Sequence, residues 1–179
     1  MQDILKGLRI VEGSAFIAAP MCGMTLAQLG ADVIRFDNLS GGIDYRRWPV
    51  TKDNHSIYWA DLNKGKRSFA VDLRSDRGRE LVTQLITADG EDGGIFSTNL
   101  PAKGWLSYES LKAHRHDLIL LAIVGDRHGG SALDYTVNAK VGYPDMTGPV
   151  ADDRPVNHVF PAWDNLTGYM AALSILAAE

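Results

Sequence analysis

Asp164 stands directly before apolar residues at helical spacing, namely Leu166, Tyr169, Met170, Leu173 and Leu176. Two roles suit an acid in that place. It caps the free N–H groups of the first helical turn, or it is a nucleophile that the helix N-terminus keeps ionised. Carboxylates attack activated acyl groups in that form, and the residues alone leave both roles open. The cations of Asn63-Lys64-Gly65-Lys66-Arg67-Ser68 suit phosphate groups, or else form a solvated basic turn. A Walker-type phosphate loop needs an upstream glycine that this segment lacks, and the first turn, Glu12 to Pro20 (EGSAFIAAP), is not G-x-G-x-x-G. Neither NAD nor ATP is supported, and no G-x-S-x-G elbow offers a serine nucleophile. The five histidines, His55, His114, His116, His128 and His158, follow no ligand spacing. With Cys22 as the one cysteine, no metal is expected, and Cys22 itself reads as a small buried residue.

These groups must be positioned by an alternation of β-rich and helical runs, the sign of an α/β fold with a parallel sheet. Leu8–Val11 is the expected first strand. A helix starts near Pro20 and carries Met21, Met24, Thr25 and Leu29 before a stop at Gly30, and Ala31–Phe36 is the second strand. Asn38 to Lys66 reads as a long functional loop. Arg67–Asp72 is a third strand, followed by a helix capped by Ser75 or Asp76 that runs to Ile86. Gly93–Ser97 is a short strand, Ser107–His114 a short helix and Asp117–Val124 a central strand. Gly125 to Pro161 reads as irregular, and a helix from about Asp164 to Ala178 closes the chain with the apolar face named above turned to the core. The last residues, ILAAE, carry no helix-stop signal.

The 179 residues are 45% hydrophobic and 22% charged, as for one soluble globular unit. A net charge of −4 supplies no field for nucleic acid or an anionic membrane. No run is long and apolar enough to span a bilayer. With no disulfide possible, the expected location is the cytoplasm.

Four collinear segments carry a resemblance. LKGLRIVEGSAFIAAPMCGMTLAQLGADVIRFD, LNKGKRSFAVDLRSDRGRELVTQLI, STNLPAKGWLSYESLKAHRHDLILLAIVG and AWDNLTGYMAALSILAAE resemble, in order, the opening half of class III CoA-transferases. The resemblance implies a Rossmann-like parallel sheet flanked by helices, an incomplete copy of the family's large domain. Residues 1–179 are then the N-terminal part of that domain. A second, smaller domain is absent from this chain, and two full-length chains interlock as a homodimer. Asp164 falls in register with the catalytic aspartate, which forms an aspartyl-CoA intermediate. Phe16, Ile17 and Ala18 match a CoA-contacting turn, and Asn99, Leu100 and Lys103 match a second CoA-lining stretch. Asn38 stands where members carry a basic residue near the nucleotide, so Arg35, Arg46, Arg47 or Lys66 is expected to substitute. Coenzyme A enters as part of an acyl-CoA substrate, and no permanently bound cofactor is implied.

The family's racemases use a histidine where this chain has Leu133, which cannot exchange protons, so transfer is favoured. YRRWPV, DYTVNAKVGYPDMTGP and VNHVFPAWD resemble members that move CoA between C1 and C4 of mesaconyl-CoA. Such a transfer needs cations for the second carboxylate, for which Arg46, Arg47 and His158 are the candidates. Transfer to other carboxylates, racemisation, and a non-catalytic CoA-binding fragment are the alternatives.

Overall fold

The computed structural model describes residues 3–151 and 154–179. Its strands are β1 (Arg9–Gly13), β2 (Asp32–Asp37), β3 (Arg67–Ala70), β4 (Ile95–Thr98) and β5 (Ile119–Ala122). They form one parallel sheet in the order β3-β2-β1-β4-β5. The helices are α1 (Ala18–Gln28), α2 (Ile57–Asn63), α3 (Asp76–Ile86), α4 (Tyr108–Lys112), α5 (Asp134–Val141), α6 (Tyr143–Met146) and α7 (Ala162–Ala178). The architecture is the expected α/β fold, with a parallel sheet flanked by helices.

Successive side chains of a strand point to opposite faces, and the core divides accordingly. Ile10, Val33 and Ile95 pack on one face against Cys22 and Leu26 of α1 and Ala171, Ala172 and Ile175 of α7. Val11, Phe36 and Phe96 pack on the other against Val82 and Ile86 of α3 and Leu111 of α4. Both faces are therefore covered, which is why the central strands read as continuous apolar runs. Cys22 is buried as expected, and burial pushes its thiol up to about 12.

Several elements differ from the sequence reading. Among the described residues, the apolar run around Asp117–Val124 forms an edge strand paired only with β4, not a central one. The loop from Asn38 to Lys66 contains α2, whose N-cap Ser56 accepts from the Trp59 N–H at 3.0 Å. The stretch from Gly125 to Pro161 contains α5 and α6. Helix α1 begins two residues before Pro20, and the proline costs nothing there because the first-turn N–H groups have no intrahelical partner.

The largest difference concerns α7. Leu166, Tyr169, Met170 and Leu173 are exposed, while Asn165, Gly168, Ala171, Ala172 and Ile175 are buried. The helix lies on α1 through its small residues, so the two backbones approach closely. A Cβ at Gly168 would stand 2.6 Å from the Met21 Cβ and 2.8 Å from the Ala18 carbonyl oxygen.

Candidate functional site

In the strand order, β1 has β2 on one side and β4 on the other, with crossovers leaving in opposite directions. Open α/β sheets bind ligands in the crevice beyond the carboxyl ends of the strands at such a switch point. A cleft of about 480 Å³ lies there. Phe16, Ile17 and Ala18 enter it from the turn after β1, Asn99 from the turn after β4, and Ile123 to Gly125 from the end of β5. The first turns of α5 and α7 complete it with Leu133, Asp134 and Asp164, and Arg47 reaches in from the loop before α2. Three helix N-termini thus converge on the cleft, placing partial positive charge and backbone N–H groups where an anion or a developing oxyanion is stabilised.

The turn after β1 is held unusually firmly. Phe16 has φ 66°, a left-handed conformation that costs a non-glycine residue about 1–3 kcal/mol. Side chains fix it from both sides. The Ala15 N–H donates to Asn99 Oδ1 at 2.8 Å, and Asn99 Nδ2 returns a bond to the Ala15 carbonyl at 2.7 Å. The Phe16 N–H donates to Asp44 Oδ2 at 2.9 Å. The Phe16 ring is left facing the cleft beneath the Arg47 guanidinium, 5.5 Å away.

Asp164 is the third residue of α7, not its N-cap, a position taken by Pro161 without a side-chain bond. Helix α5 holds this first turn in place. The Asp164 N–H donates to Asp134 Oδ2 at 3.1 Å, and Trp163 Nε1 donates to Asn138 Oδ1 at 2.7 Å. Asp134 and Asn138 are four apart on one helix and so share a face. Among the described residues, no donor hydrogen-bonds the Asp164 carboxylate. Its pKa is raised, by burial first and by the Asp134 charge second, with Arg47 pulling the other way. The helix N-terminus expected to keep this group ionised is therefore opposed by burial and by a neighbouring acid. Half-buried, with a raised pKa and no hydrogen-bond donor on its carboxylate among the described residues, Asp164 lines the same cleft as the Phe16–Ala18 turn.

The other expected residues divide by location. Phe16, Ile17, Ala18, Asn99 and Arg47 line the cleft with Asp164. Lys66 does not: only 2% of its side chain is exposed, and its Nζ donates to Glu12 Oε1, the Pro20 carbonyl and Asn63 Oδ1 at 2.7–2.9 Å. With every donor engaged, Lys66 has none left for phosphate, and Arg35 is equally buried and paired. Arg46 lines a separate depression with Trp48 and His55. His158 is not among the residues that line the cleft; it sits 6.3 Å from the Tyr143 ring, which in turn stacks on Trp163 at 5.7 Å. Leu100 and Lys103 lie outside the cleft lining. Sequence reading missed Asp134, Asn138, Asp44 and Tyr58. The Asp-x-x-x-Asn spacing within the supposed loop was the available signal for the first two. Tyr58 lies under Arg47 at 4.5 Å, and its hydroxyl, pushed up to about 12 chiefly by burial, has no hydrogen-bond partner among the described residues.

Residues 5–179 match the family model for CoA-transferase family III. The chain is 66% identical, over its whole length, to 44% of 2-methylfumaryl-CoA isomerase from Chloroflexus aurantiacus. It is 33% identical over 97% of its length to 46% of succinate–glutarate CoA-transferase from Agrobacterium fabrum. A CAIB/BAIF family protein of Brucella suis superposes on 99% of the chain with a TM-score of 0.85 at 31% identity, using 49% of that structure. The chain thus spans about half the length of the proteins it matches. Because that family model accounts for residues 5–179, nearly the whole of the sequence, the chain belongs to CoA-transferase family III.

Proposed function

We propose that this chain supplies the CoA-binding turn and the nucleophile of an enzyme that moves CoA between carboxylates, and that the transfer runs from C1 to C4 of mesaconyl-CoA. The observation that carries the reading is the Asp164 carboxylate in the first turn of α7, without a hydrogen-bond donor among the described residues and lining one cleft with the Phe16–Ala18 turn. Its oxygen attacks the thioester carbonyl carbon, the C–S bond breaks, and CoA leaves as the thiolate with a mixed anhydride formed. The thiolate then attacks the Asp164 carbonyl carbon of the anhydride, releasing the substrate carboxylate and leaving an aspartyl-CoA thioester. A carboxylate of the acceptor attacks that thioester and expels the thiolate. The returning thiolate takes the acceptor's acyl carbon and frees Asp164. Each step divides one difficult displacement into easier ones.

Two observations favour the intramolecular version. Mesaconate is 2-methylfumarate, so the isomerase of Chloroflexus aurantiacus is named for the same acyl group, and moving CoA between its carboxyls is an isomerisation. Among the described residues, Arg47 is the cation that lines the cleft, and it suits the carboxylate not undergoing reaction. Racemisation is disfavoured, because Leu133 lines the cleft where a proton-exchanging base is needed. In this reading residues 1–179 are the N-terminal part of the large domain, and a second domain and an interlocked partner complete the enzyme.

The test uses the intact protein with mesaconyl-C1-CoA and hydroxylamine. Trapping during turnover should leave a hydroxamate on Asp164, found by peptide mass spectrometry, and Asp164→Ala should lose transfer by several orders of magnitude. An unmodified Asp164 together with an active alanine variant would falsify the covalent role.

A further inference from the structure

The segment that holds the Phe16 turn is tied to a buried chain of charges. Asp44 is 1% exposed, and its two oxygens have different duties. Oδ2 accepts the Phe16 N–H at 2.9 Å, whereas Oδ1 accepts Arg35 Nη2 at 3.1 Å. Arg35, also 1% exposed, is fixed by two bonds to Asp37 at 2.9 and 3.1 Å and by one to Asn63 Oδ1 at 2.9 Å. That same Asn63 oxygen accepts Lys66 Nζ, which pairs with Glu12 on β1, just ahead of the turn. The chain of contacts therefore runs from the cleft turn at Phe16 back to the strand that leads into it.

A charge set this deeply buried is a costly way to gain stability, since desolvation offsets most of the attraction. Its geometry accounts for it differently. Left to itself, a phenylalanine leaves φ 66° for the right-handed or extended regions. Such a flip would swing the ring and the start of α1 out of the cleft. A charged acceptor on the Phe16 N–H opposes that flip, provided the acceptor is itself immobile. Arg35 immobilises it.

We propose that Asp44, anchored by Arg35, is a positioning residue that locks the Phe16 turn in its left-handed, ligand-ready conformation, so that a CoA-bearing substrate meets a preformed wall. The inference rests on the CoA reading above and adds to it a residue that touches no ligand. Asp37 provides the internal control. It pairs with the same guanidinium but has no bond to the turn.

The experiment measures CoA binding by calorimetry, and KM and kcat for acyl-CoA, on the intact protein and its Asp44→Ala, Asp44→Asn and Asp37→Ala variants, with melting temperatures alongside. Both alanine variants should melt earlier. Asp44→Ala alone should raise KM and the CoA dissociation constant about tenfold while kcat falls less, because a loosened turn must be reordered at each binding event. Asp44→Asn keeps one carbonyl acceptor and gives a fold-retaining check, with a rise of about threefold expected. Variants at 44 that bind CoA as the parent does, or no more weakly than Asp37→Ala, overturn the positioning role alone. A parent that does not bind CoA overturns the CoA reading, and this inference with it.

Discussion

At the residue scale the decisive quantity is the protonation of Asp164. Burial and the Asp134 charge raise its pKa above the ordinary 3.8, and Arg47 lowers it. If Asp164 is the nucleophile proposed above it must be ionised, so activity should fall as pH drops through this raised value, and the acid limb of kcat/KM should lie higher than for an exposed aspartate. Asp134→Asn removes the like charge and should move that limb to lower pH, while Arg47→Ala should move it to higher pH; shifts in the opposite directions would refute the assignment. A carboxyl whose folded pKa is raised contributes stability below its unfolded pKa and loses it as pH rises through the folded value. The ionised form is then disfavoured in the folded state near neutral pH, and Asp164→Asn should melt later than the parent at pH 7, as followed by calorimetry. Much of this was legible beforehand. The position of Asp164 at a helix start and the Phe16–Ala18 turn were open to reading because both follow from local sequence. Lys66 was misread because an exposed lysine and one buried against Glu12, fifty-four positions away, look the same in sequence.

At the element scale the helix that carries Asp164 is placed by its pairing with α1. Gly168 lies four residues beyond Asp164, against Met21 and the Ala18 carbonyl. Replacing a helix-interior glycine by alanine ordinarily stabilises by about 1 kcal/mol. Here the added Cβ would stand inside van der Waals contact with backbone, so Gly168→Ala should instead destabilise by about 1–3 kcal/mol, the usual cost of overpacking. Urea unfolding of the intact protein measures it, and transfer activity should fall with it, because Asp164 and Ala18 line the same cleft. A neutral or stabilised variant would show that the two helices have room to part. The strands and α3 were readable from period and caps, for instance Ser75 accepting from the Gly78 N–H. The face of α7 was not. Leu166, Tyr169, Met170 and Leu173 carry the larger hydrophobicity, but the close approach selected the glycine and alanine face, and no pattern in α7 alone discloses its neighbour's shape. Helix α5 was hidden for a related reason. Its buried face is the polar pair Asp134 and Asn138, so the usual apolar period is missing.

At the scale of the whole molecule, the sheet order creates the cleft, and strand order is a property of crossovers rather than of any one run. The apolar run ending in Val124 read as central yet became an edge strand, with Val124 itself exposed at the cleft. The same arrangement leaves large apolar surface uncovered. Leu166, Tyr169, Met170 and Leu173 are each more than half exposed along one side of α7, and β3 and β5 are open sheet edges. Contiguous apolar patches and unpaired edges both favour association, and a net charge of −4 opposes it only weakly. These 179 residues produced alone should therefore self-associate. Pairing Met170→Lys with Leu173→Lys should shift the population towards monomer without loss of helical signal, since neither side chain enters the buried clusters. Sedimentation velocity, with circular dichroism as the folding check, decides it. If α7 is the associating surface, the double variant sediments as a folded monomer where the parent does not. If the edges dominate, both sediment alike, and the exposed face of α7 loses its role in assembly.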